Sequence, residues 1–170
     1  MILLCLRLKS ILTWRSYAIK DLSTMIEGVI ITPLSVLDTT GGDVLHGLKF
    51  SDLGYAGFGE AYFSTVEPHY IKGWKRHKEM VMNLIVPVGS IRFVIFDDRK
   101  GINNCKVQQV ILARDGNYSR LTVPPMVWMG FQGIDNNTSI LLNIASLEHS
   151  VDEVDIKELK ATNFDWDIVK

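Results

Sequence analysis

The sequence predicts an all-β protein, a double-sheet jelly roll, on three observations. From Glu27 onward, short runs rich in Val, Ile, Phe and Tyr alternate with clusters of Gly, Pro, Asn and Asp, the rhythm of strands joined by tight turns. About ten such runs at this spacing make a sandwich or a barrel. The run SIRFVIFDDR, Ser90 to Arg99, is largely apolar on both alternating faces, as in a central strand covered on each side.

The elements follow in chain order. Residues 1–24 mix apolar and basic residues; the longest apolar run, Met1 to Leu6, is too short to span a bilayer, and no small-residue cleavage site follows it. A weak amphipathic helix suits this N-terminal extension. The fold proper is expected in residues 25–170, one domain that starts with IEGVIITPL just after Met25, so a chain shortened to Met25 should still fold. Strands are expected at Gly28 to Thr32, Asp43 to Leu48, Glu60 to Val66, Tyr70 to Arg76, Met80 to Val86, Ser90 to Phe96, Lys106 to Leu112, Arg120 to Val123, Val127 to Gln132 and Ser139 to Ala145. The turns DTTGGD, PVGS, RKGINN, RDGN and GIDNN supply the hairpin chemistry. Pro124 and Pro125 hold the chain extended ahead of Val127. The acidic tail SVDEVDIKELKATNFDW forms a helical turn or two, or lies extended against the sandwich with Phe164 and Trp166 as anchors.

Composition narrows the function. With 47% hydrophobic residues and 18 basic against 19 acidic ones, the chain has no charge bias that would draw it to nucleic acid or a membrane. Cys5 and Cys105 are far apart and lack the Cys or Cys/His spacing of a zinc site or a disulfide framework. A reducing cytoplasm fits that usage.

Chemistry concentrates in IKGWKRHKEM, Ile71 to Met80. Strict alternation along a strand puts Gly73, Lys75 and His77 on one face and Lys72, Trp74 and Arg76 on the other. If the first face lines the barrel, the ammonium of Lys75 would lower the pKa of His77 and keep it neutral, able to act as a base. Lys72, Arg76 and Lys78 read equally as a solvated strand face. Tyr62 is a candidate acid or a packed ring with a satisfied hydroxyl. Glu60 and Arg92 make either a mutual salt bridge or substrate contacts, and Trp128 either stacks on a base or sugar or fills the core.

The order FGEAYFSTVEPHYIKGWKRHKEM, PVGSIRFVIFDDR, LTVPPMVWMGF, NIASLEHSVDEVD and a closing FDW resembles the cupin-fold dTDP-4-dehydrorhamnose 3,5-epimerases and their sugar-nucleotide 3,4-ketoisomerase relatives, from Ile26 to Trp166. The resemblance implies a cupin-type double-stranded β-helix barrel with short terminal extensions. Its mouth would bind a nucleotide-linked 4-keto sugar for acid/base proton transfer next to the ketone, without a metal or other cofactor. It also implies a homodimer joined through sheet contacts and a place in bacterial surface polysaccharide synthesis. Such chemistry needs a base for the acidified C–H, a cation for the enolate oxygen and an acid to return a proton.

Against that demand His77 is the candidate base or acid with Lys75 as its electrostatic partner, and Tyr62, on a strand expected to run alongside, is the candidate acid or else a packed ring. Lys72 matches an arginine that contacts the nucleotide sugar, and Glu60, Asn83, Arg92, Trp128 and Asn143 complete the candidate substrate contacts. The chain departs from the pattern at defined places. Lys75 stands where the epimerases carry their catalytic histidine, and their tyrosine falls near Leu142 or Asn143; the ketoisomerase element Gly-x-His-x-His-Lys keeps only its second histidine and its lysine, at His77 and Lys78. The ligand pattern of metal-binding cupins would need side chains that Lys75, Met82 and Met129 replace, and one imidazole does not make a first-row metal site. A sugar-binding cupin without catalysis and a metal-dependent cupin enzyme are the alternatives.

Overall fold

Turn chemistry and alternating apolar residues produce twelve strands in the computed structural model, which describes residues 25–162 and 164–166. The extension expected at residues 1–24 lies outside the described residues. The strands are β1 (Ile30–Pro33), β2 (Val36–Thr39), β3 (Gly42–Leu45), β4 (Glu60–Val66), β5 (Ile71–His77), β6 (Met82–Val88), β7 (Ser90–Asp97), β8 (Lys106–Ala113), β9 (Ser119–Val123), β10 (Trp128–Gly133), β11 (Ser139–Ala145) and β12 (Val154–Ile156). No helix among the described residues is long and apolar enough to cross a membrane. Two antiparallel five-stranded sheets, β1-β9-β6-β11-β4 and β12-β5-β10-β7-β8, form the sandwich, and β2-β3 is a separate hairpin. The jelly roll anticipated from the sequence is the observed architecture.

The main core fills the space between the sheets. Leu84, Leu121, Leu141 and Ala145 project inward from the first sheet; Ile91, Phe93, Ile95, Val110 and Leu112 meet them from the second. A smaller core of Trp74, Val94, Phe96, Trp128 and Trp166 lies on the opposite face of the second sheet. Strand β7 therefore has both faces buried, as its unbroken apolar pattern anticipates. Gly89 makes the β6–β7 turn at φ 78°, and a Cβ there would lie 2.3 Å from Ser139 Oγ, so only glycine combines that backbone with that approach.

The tail, read as helical turns or an extended segment, combines both. Short 3-10 turns at Val151–Glu153 and Leu159–Ala161 flank β12, which adds to the edge of β5. Trp166 packs on Trp74 and edge-on to Phe164, with centroids 5.4 and 5.0 Å apart. The tail thus covers the outer face of the second sheet. On the first sheet the loop 46–58 covers β6 and β9, where the fully buried Arg120 donates to the Gly47 and Leu53 carbonyls and to Asp52. That guanidinium fixes a loop in which no regular structure forms.

Candidate functional site

One end of the sandwich gathers the chemistry: His77 ends β5, Met82 begins β6, Ala145 ends β11 and Glu60 begins β4. Strand alternation does not hold through β5. Met129 pairs with Lys75, but Phe131 pairs with Lys72, so β5 carries one extra residue at Gly73-Trp74. Such a bulge puts two neighbouring residues on one side. A Cβ on Gly73 would meet Leu159 of the tail at 3.0 Å, on the side where Trp74 packs. Lys72 consequently faces the same way as Phe131, toward the main core, together with Lys75 and His77. The expected division of this strand is corrected for both Lys72 and Gly73.

His77 owes its setting to the tail. Its Nδ1 lies 2.6 Å from Glu153 Oε2 and donates to it, which leaves Nε2 as the nitrogen free to take a proton. Glu153 Oε1 accepts the Glu79 and Met80 amides, each at 2.8 Å. Burial by itself would raise the Glu153 carboxyl, but the Glu79 amide, the His77 ring and the Met80 amide together hold it below the ordinary range. The sequence reading missed Glu153. Its signal was weak, an acid in an acidic tail, and only the pairing of Val154 with His77 brings it to the ring.

Lys75 is exposed beside this pair, and its ammonium makes no hydrogen bond or ion pair among the described residues. Lys72 donates to the Thr65 carbonyl at 2.8 Å, bridging the edges of β4 and β5. Tyr62 and Glu60 project from β4 toward the interior, since they pair with Asn143 and with the fully buried Ala145. Burial and then the charge of Glu60 raise the Tyr62 hydroxyl above its ordinary value. Asn143 is buried beneath them and donates to Ser64 Oγ and to the Tyr62 carbonyl. The structure thus brings His77, Lys75, Lys72, Tyr62, Glu60 and Asn143 to inward-facing positions.

Three expected contacts are placed elsewhere. Asn83 lies on the outer face of the first sheet, donating to the Gly54 carbonyl and accepting from Thr122, so it ties down the loop 46–58. Arg92, 2% exposed, lies on the outer face of the second sheet, donating to Gln132 and the Trp166 carbonyl; the salt bridge anticipated with Glu60 does not form, because Glu60 is on the other sheet. Trp128 is 3% exposed, with Lys157 3.9 Å and Arg76 4.5 Å from its ring centroid and its Nε1 donating to Asp98. Buried in the outer core with these two cations against its ring, it has no open face for a base or sugar. Arg76 and Lys78 pair with Asp155, so the face anticipated as merely solvated is an ion-pair network holding β12. Among the described residues no group of three or more His, Cys, Asp or Glu could hold a metal.

No family model matches the chain. It superposes on a dTDP sugar isomerase from Desulfovibrio desulfuricans G20 with a TM-score of 0.78 and 35% identity, over 83% of this chain and 92% of that one. A dTDP-4-dehydrorhamnose 3,5-epimerase from Sulfolobus tokodaii shares the fold at TM-score 0.71 and 22% identity, over 85% and 84% of the two chains. QdtA, a sugar 3,4-ketoisomerase from Thermoanaerobacterium thermosaccharolyticum in complex with TDP, shares it at 0.64 and 17%, over 81% and 93%. A probable low-salt glycan biosynthesis epimerase of Haloferax volcanii, Agl13, is 27% identical over 84 residues, 49% of this chain and 54% of that protein. The match thus spans about half the length of this curated relative.

Proposed function

Because the chain belongs to the cupin-fold family of sugar-nucleotide epimerases and isomerases, as 35% identity across most of both chains establishes, we propose that it moves protons beside the ketone of a nucleotide-linked 4-keto sugar. The observation that carries this reading is the inward-facing His77 held through Nδ1 by Glu153, with Lys75, unpaired among the described residues, on the same face. In this scheme His77 Nε2 removes the C–H proton, and Glu153 stabilises the imidazolium that results. Lys75 offsets the charge gathering on the enolate oxygen. A proton returns from the β4 side, where Tyr62 presents its hydroxyl. Lys72 meets the diphosphate as a point charge, without the bidentate fork of an arginine. Glu60 and Asn143 contact the sugar.

Incubation with dTDP- and UDP-linked 4-keto sugars in deuterium oxide tests the reading. Abstraction next to the ketone leaves deuterium in the recovered sugar. Binding without exchange of any of them would refute enzymatic function and point to a sugar-binding cupin. The same reading places the protein in the cytoplasm, in a pathway that builds surface glycans. It also pairs two copies through the half of the first sheet that the loop 46–58 leaves open, where Phe63 of β4 is 69% exposed. Sedimentation of a Phe63→Ser variant as a monomer against a dimeric parent checks that arrangement.

A further inference from the structure

Glu153 holds His77 from the end of a short element. β12 has three residues and pairs with β5 at the edge of the second sheet, and a pairing of that size opens more readily than the core. The Glu79 and Met80 amides bind Glu153 Oε1, but only while β12 keeps that carboxylate beside the end of β5. Asp155, the middle residue of β12, supplies the restraint. Its Oδ2 accepts from Arg76 Nε at 3.0 Å and Nη2 at 2.7 Å, charge-assisted bonds of the strong class, and the guanidinium holds the Asp155 carboxyl below its ordinary range. Lys78 assists, donating to the Asp152 carbonyl at 2.7 Å and standing 3.8 Å from Asp155 Oδ1.

Arg76 is itself a fixed post. It lies over the Trp128 ring and 3.6 Å from Asp98 Oδ1, while Asp98 Oδ2 accepts from Trp128 Nε1 at 3.1 Å and from Lys157 Nζ at 3.4 Å. The Arg76–Asp155 pair therefore ties β12 to the end of β7 and the start of β10. It does so on the face of the sheet away from His77, because Asp155 is opposite Arg76 and Val154 opposite His77. We propose that Asp155 is a positioning residue: through Arg76 it holds β12 in place, which keeps Glu153 on His77 Nδ1 and leaves Nε2 without a proton. Its effect on rate rests on the acid/base reading above, whereas its effect on the ring proton stands on the geometry alone.

Ring-nitrogen NMR of the full chain, with isotope-labelled histidine and His77→Gln to assign the signals, reads the ring proton at about pH 9, well above the ordinary histidine value of about 6.5. Deuterium wash-in to TDP-4-keto-6-deoxyglucose reads the rate. In the parent, His77 should carry its proton on Nδ1. In Asp155→Ala the signals should move toward a mixture of tautomers. Exchange at saturating sugar should fall about 10- to 100-fold, the scale of a displaced catalytic group, with half-saturation within about twofold of the parent. Asp155→Asn, which keeps an oxygen for Arg76, should recover part of both, and serves alone if circular dichroism shows the alanine variant unfolded. A loss of exchange with the ring signals unchanged overturns the proposal, as does a changed tautomer with exchange undiminished or no change in either; the epimerase reading survives all three. A parent chain that exchanges no proton with this or the other 4-keto sugars refutes that reading and the effect on rate, and unchanged ring signals in Asp155→Ala would then overturn the rest.

Discussion

Replacing Glu153 with glutamine tests how the tail sets the chemistry of His77. The carboxylate uses its oxygens separately: Oε1 accepts two main-chain amides and Oε2 accepts the ring N–H. A glutamine keeps one oxygen. The amides are donors only, so the carbonyl must stay with them and the new NH2 group turns toward His77. Nδ1 must then accept, the ring proton moves to Nε2, and the nitrogen that should take the substrate proton already carries one. The stability cost is small, since one hydrogen bond changes direction and a charge-assisted acceptor becomes neutral, about 1–2 kcal/mol. For a chain of this size that lowers Tm by roughly 2–8 °C. The kinetic cost is large, about 10³-fold or more, the scale seen when a carboxylate-to-amide change fixes the wrong tautomer of a catalytic imidazole. Deuterium wash-in reads the rate and thermal melting reads the stability. Exchange within about threefold of the parent, with the fold intact, would refute the role given to Nε2, because a general base ordinarily contributes at least about 10²-fold.

Further outcomes follow from the packing and the charges. Trp166→Ala removes a ring packed on Trp74 and Phe164 and should destabilise the domain by about 3–5 kcal/mol, measured by urea unfolding; a loss under about 1 kcal/mol would show that the tail does not seal this face. Arg120→Met should free the loop 46–58 and speed its cleavage in limited proteolysis, since Arg120 is what joins Gly47, Asp52 and Leu53 to β9. Acid should destabilise the fold. The carboxyls of Asp97, held down by Arg99, of Asp155, held down by Arg76, and of Glu153 all lie below their ordinary values. Their contribution is complete above the unfolded carboxylate pKa of about 4 and is lost as pH falls through the lower folded values. Denaturation midpoints should therefore drop below about pH 4, and a midpoint that rises on acidification would contradict the pairing.

How much of this was legible in the chain is clearest along β5. The strand itself and the one face shared by Lys75 and His77 followed from alternation and from the charges of IKGWKRHKEM, while the inward direction of that face came only from the resemblance. The bulge was also signalled, since a lone glycine in a strand pattern often marks one, yet strict alternation assigned Lys72 and Gly73 to the wrong faces. The register with β10 decides that point. Trp128 and Arg92 were misplaced for another reason. An aromatic or an arginine in a strand carries no mark of which sheet face has a cover, and the cover here is a tail that begins more than twenty residues beyond Trp128.

By itself the sequence determined the strand rhythm, the turns, the all-β sandwich and the one stretch in which a base and a cation stand two residues apart, because these depend on neighbours along the chain. The tertiary structure alone decided that Glu153 would hold His77, that Tyr62 and Glu60 would face the same interior from the opposite sheet, and that Trp128 would be buried under the tail. Those outcomes depend on pairings across 76 residues for His77 with Glu153 and 81 for Asn143 with Tyr62, and local propensity exerts no force over such separations.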